Sequence, residues 1–252
     1  VNGSAGGSVS GSAGGSAGGS VSGSPRALAA EPLPLLTSHS RWTRLAQAWG
    51  ERFAPCRFDN FVVYHDDQTA VLTAMQRFAA SVRQRVDRGD NLLLYGSAGT
   101  GKDHLLASMV RRAVMLDGVP VDWVCGASVW DAFRWAKSPE AFRNWRRRWI
   151  RPAVLAVSDL LPADTDLLPE ERRALLSVVD ARYRRRRPTW ATVSVGDDAA
   201  AIERLGVCLL DRFRDAGLVL TLRWPSFRAR RMNEQAGIGL ESTPGDPHSR
   251  AD

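Results

Sequence analysis

Apolar residues in this chain follow two alternating patterns. Short, nearly unbroken apolar runs occur at "NLLLYG" (91–96), "VPVDWVCG" (119–126), "AVLAVSDLLP" (153–162), "PTWATVSVGD" (188–197) and "LVLTLRW" (218–224). Runs this short, bounded by turn residues, predict buried strands. Between them the apolar positions recur at helical spacing. This holds for "RWTRLAQAWGERF" (41–53), the stretch from Val71 to Val86, "KDHLLASMVRRAVML" (102–116), "ASVWDAFRWA" and "AFRNWRRRWI". It holds again for "PEERRALLSVVDARYRRR" (169–186) and "AAAIERLGVCLLDRFRDA" (199–216), the latter broken near Gly206. Strands alternating with helices predict an α/β fold, a parallel sheet covered by helices on both faces.

Composition adds limits. Residues 1–24 are almost wholly Gly, Ser and Ala, with "GSAGGSVSGS" at 3–12 and again at 15–24. Such a stretch has nothing to bury and is expected to be a flexible linker or leader. Residues 25–52 read as a short N-terminal extension, 53–236 as the folded domain, and 237–252 as a disordered polar tail. No apolar run approaches the roughly 20 residues of a membrane span, and no signal-peptide pattern opens the chain, so the expected location is cytoplasmic. The three cysteines and four histidines are scattered, without disulfide or metal-ligand spacing. Net charge is +7, nearly all of the cations being arginine, which favours a polyanionic partner.

The chemistry starts where the first apolar run ends. "GSAGTGK", Gly96, Ser97, Ala98, Gly99, Thr100, Gly101 and Lys102, meets the phosphate-loop pattern G-x-x-x-x-G-K between a strand and a helix. Glycines there let backbone N–H groups converge on phosphates, and the lysine adds a charge over them. A P-loop NTPase binding ATP with Mg2+ is implied. The next residue breaks the pattern: Asp103 stands where Ser or Thr would hold the magnesium.

"VLAVSD" (154–159) bears on that departure. ATPases of this class end a buried strand with Asp and Glu, one for magnesium and one to polarise water. In one register Asp159 is the magnesium aspartate and Leu160 fills the glutamate position, which cripples hydrolysis. In the other, Ser158 takes the aspartate's place and Asp159 the glutamate's. Hydroxyl and carboxylate would then have changed sides, Asp103 for Thr and Ser158 for Asp, and magnesium accepts either set of oxygens. Alternatively, Asp103 merely suits a helix N-terminus in a decayed site.

"CRFDNFVVY", "GSAGTGKDHLL", "RRPTWATVS" and "LGVCLLDRFRDAGLVLTLRWPSFR" together resemble the bacterial DnaC-like helicase-loader family and its transposition relative IstB, of the AAA+ class. The resemblance covers about residues 53–231, and D-R-x-R followed by W-x-S-[YF]-R is its most specific part. It implies an AAA+ ATPase that self-associates, with ATP between subunits. Ser194 falls where the family places a polar sensor, usually asparagine. Arg212 matches the arginine finger, with Arg214 the lesser candidate, and Arg228 a second sensor. The family also tolerates a non-hydroxyl residue after the loop lysine. Loaders of the family carry an N-terminal helicase-binding domain, which no residue before "FAPCRFDNF" supports; the helix at 41–53 either replaces it or only packs on the core.

Arginines and tryptophans interleave in "WDAFRWAKSPEAFRNWRRRWIRP" (130–152), the pairing used by sequence-tolerant single-strand binders. Arg143, Trp145, Arg146, Arg147, Arg148 and Trp149 are the candidates for single-stranded DNA contact; the rival reading puts the tryptophans in the core and the arginines on a solvated face. The run "RYRRRRP" (182–188) ends a helix, where cations suit the dipole without any DNA. The expectation is an ATP-dependent switch with weak hydrolysis, acting on DNA with a replicative helicase or, in an IstB-like role, a transposase. The rival is a catalytically degenerate nucleotide-binding scaffold.

Overall fold

A computed structural model describes residues 37–162, 165–215 and 217–235. The linker, residues 25–36 and the tail lie outside them. In chain order the elements are α1 (Ser38–Trp49), α2 (Asp66–Ala80), α3 (Val82–Arg88), β1 (Asn91–Gly96), α4 (Lys102–Met115), β2 (Val121–Cys125), α5 (Gly126–Trp135) and α6 (Pro139–Ile150). Then come β3 (Val154–Ser158), α7 (Pro169–Tyr183), β4 (Thr189–Ser194), α8 (Asp198–Leu205), α9 (Val207–Asp215), β5 (Gly217–Leu222) and α10 (Phe227–Gln235).

The strands form one parallel sheet in the order β2-β3-β4-β1-β5. Alternate residues of each strand face opposite layers, because strand side chains have a period of two. Leu92, Leu94, Val154 and Ala156 join the core beneath α1, α2 and α4. Leu93, Tyr95, Leu155 and Val157 join the core beneath α6, α7 and α9. Every residue of β1 and β3 is buried, as a two-sided parallel sheet requires.

Local chemistry sets the boundaries. Thr37 caps α1 by accepting the Ser40 amide, and Ser138 with Pro139 starts α6. Gly89, at φ 87°, ends α3, and Gly206, at φ 83°, separates α8 from α9. The apolar stretch 71–86 is not one helix: Ser81 breaks it. Nor is 153–162 all strand, since pairing stops at Ser158. Trp42 and Ala46 of α1 are buried in the α4-side core, so this helix packs on the domain.

Arg182 departs most from expectation. It is fully buried and donates to the carbonyls of Trp149, Ile150, Pro152 and Pro188 and to the Thr189 hydroxyl. Burial, with Arg187 nearby, pushes its guanidinium down to about 9. Far from merely suiting a helix end, it ties α6 and the entry to β4 together through five oxygens.

Candidate functional site

The phosphate loop turns where β1 meets α4. Gly96, Gly99 and Gly101 have φ of 156°, 81° and 89°, and the latter two lie in the left-handed region that side chains disfavour. Three aromatic residues from two segments hold the loop from outside. Trp224 Nε1 donates to the Thr100 carbonyl at 2.9 Å, and the Phe227 amide donates to the Gly99 carbonyl at 3.0 Å. Phe61 packs on Gly101 so closely that an added Cβ would lie 2.7 Å from its ring. The "WPSFR" signature is thus a brace on the loop, and it delivers Arg228 to the same cleft.

Lys102 is buried, its ammonium donating to the carbonyls of Gly96 at 2.9 Å and Ser97 at 2.8 Å. Burial lowers its pKa, and Asp103 and Asp159 oppose the shift. Thr100 Oγ1 donates to the Ser97 carbonyl at 2.9 Å.

Asp103 lies in the first turn of α4 beside the ends of β3 and β4. Thr192 Oγ1 donates to its Oδ1 at 2.7 Å. Burial and then Asp159 push the Asp103 carboxyl above the ordinary range, while Thr192, Ser158 and Lys102 pull it back. Ser158 is the last residue of β3, buried, and its hydroxyl accepts Trp123 Nε1 at 3.3 Å. Asp159 leaves the strand at φ 46° and accepts the Ser194 hydroxyl at 3.0 Å. Leu160 is buried, its amide on the Thr192 carbonyl at 2.9 Å, so it presents nothing to the cleft.

Lys102, Asp103, Asp159, Ser194 and Arg228 line one cleft of about 470 Å³ with Ala98, Gly99, Thr100 and Gly101. That volume lies within the usual range for a small-molecule site. Aromatic Phe61 and Tyr64 form another part of its wall. Among the described residues no group of three or more His, Cys, Asp and Glu could hold a metal. Magnesium needs less, one or two carboxylates with substrate phosphates. Asp103, Ser158 and Asp159 are hard oxygen donors of that kind, and two neighbouring carboxylates with a raised Asp103 fit a cation.

Arg212 is not in the cleft. It pairs with Asp180 at 3.3 Å and Asp211 at 3.2 Å and lies over the Tyr183 ring at 5.1 Å. Arg214 is exposed on the same helix.

The single-strand candidates divide. Trp145 and Trp149 are core residues, only 6% and 5% exposed, with Trp145 Nε1 bonded to the Val129 carbonyl. Their faces are not open for base stacking. Arg146 is half-buried and donates to the hydroxyl and carbonyl of Ser177 at 3.3 and 3.2 Å, so part of its guanidinium is engaged within the fold. Arg143, Arg147 and Arg148 are exposed. Trp135, 82% exposed, is the open aromatic, and it lines a second cleft of about 1100 Å³ with Arg147, Arg148 and Arg151. Among the described residues those three arginines make no ion pair.

Sequence reasoning missed Thr192, and it included Trp135 only within the stretch 130–152 without naming it as a contact. Thr192 has no motif to mark it, although a polar residue amid the apolar β4 run was a signal. For Trp135, helical spacing could have helped, since Trp145 and Trp149 share a face with Ile150 beside them.

Among the described residues no helix is long and apolar enough to cross a membrane. The model of the IstB-like ATP binding protein family matches residues 66–235. The replicative helicase loader DnaC of Buchnera aphidicola subsp. Acyrthosiphon pisum (strain APS) is 29% identical over 183 residues, 71% of each chain. The crystal structure of the DnaC helicase loader superposes with a TM-score of 0.57 at 16% identity, covering 69% of this chain and all of that one. A replication initiator DnaA, bound to AMPPCP and single-stranded DNA, superposes with a TM-score of 0.53 at 15% identity, over 74% of this chain and 56% of that one. The sheet and phosphate loop are therefore those of an AAA+ P-loop fold.

Proposed function

The chain belongs to the IstB-like ATP-binding protein family, and from that premise we propose that it is an ATP-dependent switch of the helicase-loader type, acting on DNA with a protein partner. The observation that carries this reading is the convergence of Lys102, Asp103, Asp159, Ser194 and Arg228 on one cleft beside the glycine loop. The loop amides and Lys102 bind the phosphates, once the ammonium leaves the carbonyls of Gly96 and Ser97. Asp103 and Ser158, with Asp159 beside them, would hold magnesium, which neutralises charge on phosphate oxygens. Asp159, set off the strand end and bonded to Ser194, orients water. The aromatic wall of Phe61 and Tyr64 suits a base.

Arg212 lies outside its own cleft and serves a neighbour's nucleotide, so hydrolysis depends on self-association. Single-stranded DNA is the polymer that best suits Arg147, Arg148 and Arg151 around the cleft lined by the open Trp135 ring, with Arg143 exposed on the same helix as Arg147 and Arg148. The DnaC relative is named a replicative helicase loader, which favours a helicase as partner; a transposase is the alternative that the IstB-like match keeps open. The degenerate-scaffold reading draws on two features, the apolar buried Leu160 after Asp159 and the serine at position 194 where a sensor asparagine is usual. Single-turnover hydrolysis of ATP with magnesium separates the two: the switch reading expects slow turnover that increases with protein concentration. Tight binding without turnover at any concentration would favour the scaffold.

A further inference from the structure

Thr192 lies outside the phosphate-loop motif, has no role assigned to it by the family resemblance, and is fully buried in β4. Its hydroxyl stands between two groups on which the proposed function depends. The Asp159 amide donates to Thr192 Oγ1 at 2.8 Å, and Thr192 Oγ1 donates to Asp103 Oδ1 at 2.7 Å. A hydroxyl has one proton. With the Asp159 amide on its acceptor side, that proton goes to the carboxylate. The next amide, of Leu160, rests on the Thr192 carbonyl. Both amides that leave β3 are therefore anchored on one residue, which holds Asp159 in a left-handed backbone conformation that would otherwise be strained.

We propose that Thr192 is a positioning residue that couples the carboxylate of Asp103 to the backbone of Asp159, so that a magnesium–nucleotide complex engaging Asp103 is sensed at the end of β3. The proposal rests on the reading of Asp103 and Asp159 as the polar groups on the metal side of the nucleotide. The link has a direction, amide to hydroxyl to carboxylate, and three chain segments far apart in sequence meet in it. Serine at this position would preserve it. Valine has the shape of threonine but can neither accept from the amide nor donate to the carboxylate.

The test is a titration of the complete chain with the fluorescent probe mant-ATP, in magnesium and in EDTA. It compares the parent protein with Thr192→Ser, Thr192→Val and Lys102→Ala. The ratio of affinity in magnesium to affinity in EDTA is expected to fall about tenfold in Thr192→Val, the scale of one hydrogen bond to a charged group. It should return in Thr192→Ser, with the EDTA affinity unchanged in both. An unchanged ratio in Thr192→Val, in a series where Lys102→Ala loses binding, overturns the coupling and leaves the nucleotide site standing. Lys102→Ala binding as the parent does overturns the site itself. If Thr192→Val does not fold, amide exchange at Asp159 decides: adding magnesium and ADP should change its protection in the parent and not in Asp103→Asn. An equal change in both contradicts the proposal.

Discussion

Gly126, the first residue of α5, stands against the main chain of Asp159: a Cβ built on the glycine would lie 1.9 Å from the Asp159 carbonyl oxygen. The helix start and the turn after β3 are therefore packed backbone to backbone, and only glycine permits it. Gly126→Ala must displace the main chain at Asp159, whose amide and carboxylate bond to Thr192 and Ser194. Overpacking of this kind costs about 1–3 kcal/mol, to be read by denaturant unfolding. Gly196→Ala, where a Cβ meets nothing within 4 Å, serves as the near-neutral control. Equal stability of the two variants would contradict this packing.

The raised pKa of Asp103 makes a signed prediction. A group whose folded pKa lies above its unfolded value stabilises the fold below the unfolded pKa, and that contribution is lost as pH rises through the folded pKa. Without nucleotide or magnesium, ionised Asp103 is thus a burden at neutral pH, caused by burial and by Asp159. Asp103→Asn can still accept from Thr192 but cannot ionise. Its stability relative to the parent should grow as pH rises above the ordinary aspartate range. A difference that does not change with pH would refute the shift.

Much of this was legible in the sequence. "NLLLYG" is β1 residue for residue because a strand buried on both faces leaves no polar position. The break at Gly206 and the loop from Gly96 to Lys102 were marked by glycine. What could not be read is one partner of Asp103. Spacing offered Ser158 in an exchange of roles, and its hydroxyl does act on the Asp103 carboxyl, but so does Thr192, on the neighbouring strand, which donates to Asp103 at 2.7 Å. Hydrogen-bond partners 89 residues apart follow from sheet order, and periodicity says nothing about which strands are adjacent. The tryptophans of α6 failed for a related reason. Aromatic residues alternating with arginines describe a nucleic-acid surface and an amphipathic core helix equally well, until burial separates Trp145 and Trp149 from Trp135.

For DNA, replacing Arg147, Arg148 and Arg151 with Ala should lower the log–log salt slope of single-strand binding by roughly 0.7 for each phosphate that is no longer neutralised. Trp135→Ala should weaken binding by about 1–3 kcal/mol without changing that slope, since stacking releases no counterion. Binding by oligonucleotide anisotropy that ignores both changes would return this face to a role without DNA.

Arg212→Ala should bind ATP as the parent does, because Arg212 is outside the cleft, and should lose most hydrolysis. Its pairs with Asp180 and Asp211 are half exposed, so the loss of stability should stay under about 1 kcal/mol. Mixed with Lys102→Ala, it should regain part of its turnover, an intact loop meeting an intact arginine across one interface. Normal turnover by Arg212→Ala alone would move the assignment to Arg214.

The central claim is that the loop from Gly96 to Asp103 binds ATP through Lys102. Titration of the complete chain with ATP and magnesium, followed by calorimetry, tests it most directly. Saturable binding is predicted, weakened at least about tenfold in Lys102→Ala, since charge-assisted hydrogen bonds to phosphate are the strong ones. Equal affinity in the parent and in a folded Lys102→Ala protein would contradict it.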